Sequence, residues 1–295
     1  MKWMKGIGLL LIANILIMVT LSLTVPILIN VILPMFGIDV RGSVDLSSLV
    51  WAAMFGFGGA FISLAFSKQM ARAMLNCRQI IQPGSRAEQV VYGSVQEIAQ
   101  RLHITMPEVW VYDSPDPNAF ATGPSKNNSM VAVSTGLLEN LKENEVKAVL
   151  AHEMGHVYNG DMFATTVLAG LMNTFVFYIA MWVRRFFAER DQAALGFGLS
   201  LVLQIVVSIL ASIVISWFSR HREFGADAFA AKVYGKDSMI GALRAIDRWV
   251  NRAQLEYSTQ DALATMKISG KTGGFMSLFS THPPIDTRIA ALEAL

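Results

Sequence analysis

The chain has 295 residues, of which 53% are hydrophobic and only 16% are charged, and its mean hydropathy is +0.44. This balance is too apolar for an ordinary soluble protein, yet the charges are too many for a chain that lies wholly in a membrane. The net charge is +2 without a basic run or a nucleic-acid-binding motif, so nothing points to a DNA or RNA partner. Cys77 is the only cysteine of the chain, which excludes an intrachain disulfide.

Four stretches of the chain carry no charged side chain, and each is longer than the roughly 20 residues that a membrane-spanning helix needs. We predict spans at about 6–33, 46–67, 162–183 and 197–219 (the last within a charge-free stretch that starts at 192), arranged as two hairpins. The first apolar run is far longer than the core of a secretory signal, which predicts an uncleaved anchor.

The charges near the spans predict the topology. Lys2 and Lys5 precede the first span, and Lys68 and Arg72 follow the second. By the positive-inside rule, the N-terminus and the segment after the second span face the cytoplasm. The loop between the third and fourth spans is rich in arginine, so these two spans are either a full crossing pair or a hairpin that dips into the bilayer. In both cases the end of the chain returns to the cytoplasmic side.

The two segments outside the spans, 68–161 and 220–295, are together long enough for one compact domain with a core. In the first segment, helical spacing is followed by short runs rich in β-branched and aromatic residues, and then by a second helical pattern that starts near Glu143. The second segment has mostly helical spacing. The predicted elements are a helix at 86–102, strands at 109–112, 119–122 and 130–134, and helical stretches at 226–233, 240–253 and 285–294.

The segment His152-Glu153-Met154-Gly155-His156 has the pattern of a metal site with an adjacent general base. Two histidines four residues apart lie on one face of a helix, so both imidazoles can reach one metal ion. Glu153 points close to that face and can take a proton from the attacking water. The alternative is a helix that merely carries surface histidines.

A catalytic zinc has three protein ligands and one open position, so a third ligand is needed. Glu223 and Asp227 follow the fourth apolar stretch and share one helical face. Glu223 can supply the ligand, while Asp227 can orient another ligand. Such a pair of acids also occurs on solvated helix faces. We expect His103 at the surface and His221 at the membrane interface.

An H-E-x-x-H pattern followed by E-F-x-A-D-x-x-A and T-H-P-P-x-x-x-R resembles the HtpX-type membrane zinc metalloproteases, relatives of the CAAX prenyl protease. The likeness extends through 118–123, 133–138, 159–161 and 217–222, and includes the order of the apolar stretches. It implies an α+β, multi-spanning membrane protein with four apolar helices in two hairpins. The protease domain is then mostly helical and zincin-like, with a small β-sheet.

The apolar stretches predict the organisation of the chain, and the resemblance agrees with it. Residues 1–67 and 162–219 are the two membrane hairpins. Residues 68–161 are the first part of the catalytic domain and contain the H-E-x-x-H helix. Residues 220–295 are its second part and contain the third zinc ligand.

For the site, the resemblance implies that His152, His156 and Glu223 bind one Zn²⁺ per chain and that Glu153 is the general base, which are the roles that the residue patterns also indicate. It marks Asp227 as an orienting acid.

His282 and Arg288 fall in the His-Pro motif of the family. We expect Arg288 to pair with Asp227. We expect His282 to approach the metal, where it stabilises the oxyanion or fills the open position. The alternative for His282 is a loop residue held by Pro283 and Pro284.

The expected reaction is peptide-bond hydrolysis, in which Glu153 removes a proton from the attacking water and delivers it to the leaving amine. We expect the substrate to lie extended along an edge strand near 118–123 or 130–134. The candidate substrate-binding residues are Asn118, Ala119, Phe120 and Ala121.

At about 1.5 Å per helical residue, the ligands lie within roughly 6–10 Å of the apolar stretches along the chain. The predicted location is the bacterial inner membrane, with the catalytic domain in the cytoplasm. The resemblance implies polypeptide substrates, in particular misfolded membrane proteins, and a role in quality control and stress response.

Two other functions are compatible with part of the pattern. A narrower prenyl-protein processing protease would use the same chemistry but is expected to have more spans. A membrane adaptor or holdase could use zinc only to brace its fold, but structural sites usually have four protein ligands, often cysteines. The oligomeric state is not indicated by the sequence.

Overall fold

The computed structural model describes residues 46–257 and 282–295, together with Val31 and Met35. The predicted first span, 6–33, therefore lies outside the described residues apart from Val31. In chain order the described elements are α1 (Leu46–Ala65), α2 (Ser67–Leu75), β1 (Arg78–Gln79), α3 (Arg86–Arg101), β2 (Glu108–Tyr112), β3 (Ala119–Ser125), β4 (Asn128–Ser134), α4 (Thr135–Asn140), α5 (Glu143–Asn159), α6 (Asp161–Ala188), α7 (Ala193–Tyr234), α8 (Lys236–Tyr257) and α9 (Ile285–Glu293).

Among the described residues, three helices are long and apolar enough to cross a membrane, namely α1, α6 and α7. They coincide with the second, third and fourth apolar stretches of the sequence. Helix α7 has 42 residues and continues without a break well beyond the last apolar residue before Arg220. The predicted mostly helical protein with a small sheet is confirmed.

The four strands form one mixed sheet in the order β1-β2-β4-β3. Strands β2 and β4 are parallel, while the pairs β1–β2 and β3–β4 are antiparallel. Strand β3 lies at an edge of the described sheet, whereas β4 is paired on both sides. The prediction that residues 130–134 could be an edge strand is therefore wrong, because those residues lie inside the sheet.

Successive side chains along the strands point to opposite faces of the sheet, and both faces contain buried side chains, so the sheet is covered on both sides. One face contributes Val109, Val111, Val131 and Val133 to a core with α3 and α5. The other face contributes a smaller cluster of buried side chains, which packs against Ala71 of α2 and consists of Tyr112, Met130 and Ala132. The sheet thus supports α5 on one side and α2 on the other.

The chain separates into two compact units. One consists of the described residues up to Ile62 and of Thr166–Ser212, and the other of Ser63–Thr165 and Ile213–Leu295. In the first unit α1 packs directly on α6, because a Cβ placed on Gly56 would lie 2.4 Å from Thr174. The second unit contains the sheet and all the predicted site residues.

Candidate metal centre

Helix α5 fixes the H-E-x-x-H segment through its ends and its buried face. The backbone N–H of Lys142 donates to the Glu145 carboxylate at 2.9 Å, which satisfies a free group at the helix N-terminus. At the other end Gly160 adopts φ +73°, a left-handed conformation that suits glycine. Between them one side of α5 is part of the core, with Leu150 and Met154 fully buried. The histidines are therefore carried on a rigid helix.

Three side chains of the second unit converge on one point. The Nε2 atoms of His152 and His156 are 3.2 Å apart. The carboxylate of Glu223, from α7, lies 3.5 Å from Nε2 of His152 and 3.3 Å from Nε2 of His156. Within the described chain these three residues form a group whose potential ligand atoms all lie within 4.8 Å of one another. They offer two nitrogens and one carboxylate, a set that suits a divalent transition metal.

The acids beside the two imidazoles favour the tautomers that a metal site needs. Nδ1 of His152 lies 2.9 Å from the Asp227 carboxylate, and Nδ1 of His156 lies 2.5 Å from the Asp161 carboxylate. A carboxylate accepts hydrogen bonds, so each imidazole carries its proton on Nδ1 and turns the lone pair of Nε2 inward. Two lone pairs and a carboxylate then face one another in a buried place. Such an arrangement repels itself unless a cation lies between the groups.

The acid behind His152 is held by the C-terminal part of the chain. Arg288 of α9 donates to both carboxylate oxygens of Asp227, at 2.8 and 2.6 Å. Its third nitrogen lies 3.3 Å from the Glu223 carboxylate. Arg288 and Asp227 are both buried. This bidentate ion pair connects α9 to α7 on the side of His152 that faces away from the donor atoms.

The acid behind His156 is held in the same way. Arg222 donates to the backbone carbonyl of Asp161 at 2.7 Å and to the Thr165 hydroxyl at 3.0 Å, and it also pairs with the Asp161 carboxylate. Asp161 is the first residue of α6, and the left-handed turn at Gly160 brings it back against His156. Asp161 and Arg222 are thus two site residues that the sequence patterns do not indicate. The available signal was an acid directly after an Asn-Gly helix end.

Glu153 lies on α5 between the two histidines and is partly buried. This desolvation raises the pKa of its carboxyl, while the neighbouring histidines oppose the rise. A carboxylate with a raised pKa accepts a proton more readily, which suits a general base.

Gly155 lets α7 approach the histidine-bearing helix. A Cβ on this residue would lie 3.2 Å from the Phe229 ring and 3.4 Å from the backbone Cα of Ala226. Both neighbours belong to the same stretch of α7 as Glu223. The glycine inside the H-E-x-x-H segment is thus a point of close helix packing.

Among the remaining predicted residues, His282 lies close to the donor group. Nδ1 of His282 is 2.8 Å from a Glu223 oxygen, although its side chain is 64% exposed. Asn118 exchanges hydrogen bonds with Ser134 and leads into β3, the edge strand that contacts α5. His103 follows α3 in a left-handed conformation, and His221 is exposed.

A largely buried set of two histidines and a glutamate, with a further glutamate beside it, is the arrangement of a metallopeptidase centre. Comparisons with known proteins agree with this class. Residues 85–295 match peptidase family M48. The Protease HtpX of Pasteurella multocida (strain Pm70) is 44% identical over 286 residues, covering 96% of this chain and 98% of that protein. The Protease HtpX of Tolumonas auensis is 45% identical over 302 residues, covering 99% and 100%.

The fold is also similar to a solved structure. The crystal structure of S. mikatae Ste24p superposes with a TM-score of 0.62 at 20% sequence identity, over 92% of this chain. The chain spans 64% of the length of that protein. On the strength of the family match and of these relatives, the chain belongs to peptidase family M48. The predicted HtpX-type metalloprotease is confirmed at this level.

Proposed function

We propose that this chain is a zinc-dependent endopeptidase that cleaves membrane or membrane-associated polypeptides at the cytoplasmic face of the membrane. One observation carries the proposal. His152, His156 and Glu223 converge with their lone pairs, each histidine is oriented by an acid, and Glu153 lies beside them. Zinc matches this set of two imidazoles and one carboxylate, with one position left open.

When bound there, Zn²⁺ supplies a Lewis acid that activates water and polarises the scissile carbonyl. Glu153 takes the proton of the attacking water and then passes it to the leaving amine. Asp161 and Asp227 hold the two imidazoles in one tautomer, so that Nε2 stays available as a ligand. His282, exposed and close to Glu223, is placed to donate a hydrogen bond to the oxyanion.

The proposed substrate site is the outer edge of β3, with Asn118, Ala119, Phe120 and Ala121. Strand β3 is at an edge of the described sheet and contacts the helix that carries the H-E-x-x-H segment. An extended peptide can add to such an edge through main-chain hydrogen bonds, which accept many sequences.

Proline substitutions test the position of the substrate. Proline at residues 119, 120 and 121 in turn removes one backbone N–H each time. A position whose N–H faces outward should lose most cleavage while metal affinity stays unchanged. Peptidase assays and metal titrations on the three variants give the answer. If every position either keeps its activity or loses metal binding as well, the substrate lies elsewhere.

The proposed topology has four spans in two hairpins, with the N-terminus and both parts of the catalytic domain in the cytoplasm of a bacterium. Three apolar helices among the described residues and the excess of Lys and Arg after the second span support it. We also propose that the protein acts in membrane-protein quality control and in the stress response. Comparing membrane proteomes of cells with the wild type and with Glu153→Gln tests this role, since substrates should accumulate in the variant.

Glu153→Gln also tests the chemistry. Glutamine cannot take the proton, so cleavage of a membrane protein should fall by about 10²–10⁴-fold, the usual contribution of general base catalysis. Zinc content should remain unchanged, because the three ligands are intact. The matched control is Glu139→Gln, an exposed acid on α4. Unchanged cleavage in Glu153→Gln would exclude Glu153 as the general base, whereas a wild-type protein that binds zinc but cleaves nothing would favour an adaptor in which the metal only braces the fold.

A further inference from the structure

Helix α2 turns its charges toward the protein. Lys68 and Arg72 both form ion pairs with Glu108 of β2, and the Nζ atom of Lys68 lies 2.8 Å from Oε1 of Glu108. Their side chains are only 12% and 31% exposed. The guanidinium of Arg72 also lies over the Trp110 ring, 4.5 Å from its centre. Both cations of this helix are thus held by the sheet beneath it.

The opposite side of α2 carries no charge. Its exposed residues are Gln69, Met70, Ala73 and Met74. Met74 is 79% exposed and Met70 is 49% exposed. No residue of α2 is buried. The helix therefore presents methionines outward and lysine and arginine inward.

This arrangement is the reverse of what water favours. In water, a long cationic side chain keeps its charged end solvated, whereas burying a methionine side chain lowers the free energy of the protein. Turning α2 about its axis would restore the ordinary pattern. The opposite orientation is expected when the medium outside the helix is apolar.

The position of α2 in the chain indicates which apolar medium this is. Helix α1, a candidate membrane span, ends at Ala65, and Phe66 is the single residue between the two helices. Phe66 is itself 55% exposed. A short helix that directly follows a span begins at the level of the lipid headgroups.

We propose that the outward face of α2, formed by Gln69, Met70, Ala73 and Met74, rests on the lipid bilayer as an interfacial helix. The methionines enter the boundary between headgroups and acyl chains. The ion pairs of Lys68 and Arg72 with Glu108 fix the sheet to this helix from the other side. Because α2 contacts β3, the sheet edge that we assign to the substrate lies about one helix diameter, roughly 10 Å, from the lipid. Only this last consequence rests on the proposed function.

The test uses the full chain in lipid nanodiscs, with Cys77→Ser as background so that one cysteine can be placed at will. Met74→Cys is compared with Glu139→Cys, an exposed position on α4. Two measurements are made on each variant. The first is the rate of labelling by a charged maleimide, and the second is the quenching of an attached fluorophore by nitroxide-labelled lipids.

Lipid contact predicts that Met74→Cys is labelled about tenfold more slowly than Glu139→Cys, because leaving the apolar phase costs free energy. It also predicts that only the fluorophore at position 74 is quenched by the labelled lipids. Equal labelling rates without quenching would overturn the proposal. So would slow labelling together with a disulfide between two copies at position 74, since a second chain would then cover the face. Metal binding and cleavage are measured on the same samples, so failure of the proposed function is seen separately.

Discussion

At the scale of residues, the centre consists of two equivalent chains of contacts. Each histidine of the donor group is oriented by an acid, and each acid is held by an arginine. For His156 the acid is Asp161 and the arginine is Arg222, while the other chain ends in Asp227 and Arg288. Both arginines also link separate helices. The donor atoms are therefore preorganised from behind, which lowers the cost of binding a metal.

Asp161→Asn should weaken metal binding by about 10–100-fold, the usual effect of losing an outer partner of a ligating histidine. The amide has no negative charge to hold the Nδ1 proton and the Arg222 guanidinium. Affinity is measured by competition with a chromophoric chelator on the purified protein. Asp237→Asn, at the exposed start of α8, is the control and should bind as the wild type does. Equal affinities for the two variants would remove Asp161 from the centre.

The sequence indicates the donor residues but not everything behind them. His152 and His156 are recognisable because helical spacing fixes their relation within one element. Asp161 is not recognisable in this way, because a helix end lies between it and His156. Its position depends on the left-handed turn at Gly160, whose angles no spacing rule supplies. The role of Arg222 likewise follows only from its contacts with Asp161 and Thr165 of α6, which the sequence does not reveal.

At the scale of elements, the centre depends on the close packing of α5 against α7. Gly155 lies in the contact, where an added Cβ would come within 3.4 Å of the Ala226 backbone. Since Glu223 is carried by the same helix as Ala226, the distance between the helices determines whether all three donors reach one point. The contact thus couples helix packing to metal binding.

Gly155→Val should force α5 and α7 apart, since its methyl groups would extend beyond a Cβ that is already in tight contact. Overpacking of this kind costs about 1–3 kcal/mol of stability. Metal affinity should fall as well, because Glu223 moves away from the histidines. The matched control is Gly225→Val on α7, where a Cβ meets nothing within 4 Å. Thermal unfolding and chelator competition on both variants provide the comparison, and equal losses would mean that the contact at Gly155 has no special role.

Periodicity predicts the long elements well and the short ones poorly. The helix at 86–102 and the strands at 109–112 and 119–122 are found with small shifts of their ends. Helix α2 is not predicted, because its 9 residues are fewer than the roughly 11–18 over which helical periodicity is recognised. Strand β1 has only two residues and depends on pairing with β2. The order of the strands also follows from tertiary packing, which explains why residues 130–134 could be taken for an edge.

At the scale of the whole molecule, the donor group joins two segments that are distant in the chain. The histidines belong to the segment before α6, and Glu223 belongs to the segment after the apolar part of α7. The intervening residues Thr166–Ser212 belong to the other compact unit. A metal ion bound here therefore acts as a cross-link within the catalytic unit. Its binding free energy adds to the stability of that unit.

Removal of the metal should accordingly destabilise the catalytic unit. At free zinc a thousandfold above the dissociation constant, binding to the folded state contributes about 4 kcal/mol, so a chelator should lower the unfolding temperature by several degrees. Thermal unfolding of the purified protein with zinc and with chelator measures the difference. Glu153→Gln should keep the full difference because its ligands are intact, whereas Glu223→Ala should lose most of it. If Glu223→Ala responded to zinc as strongly as the wild type does, the metal would not join the two segments, and Glu223 would not be a ligand.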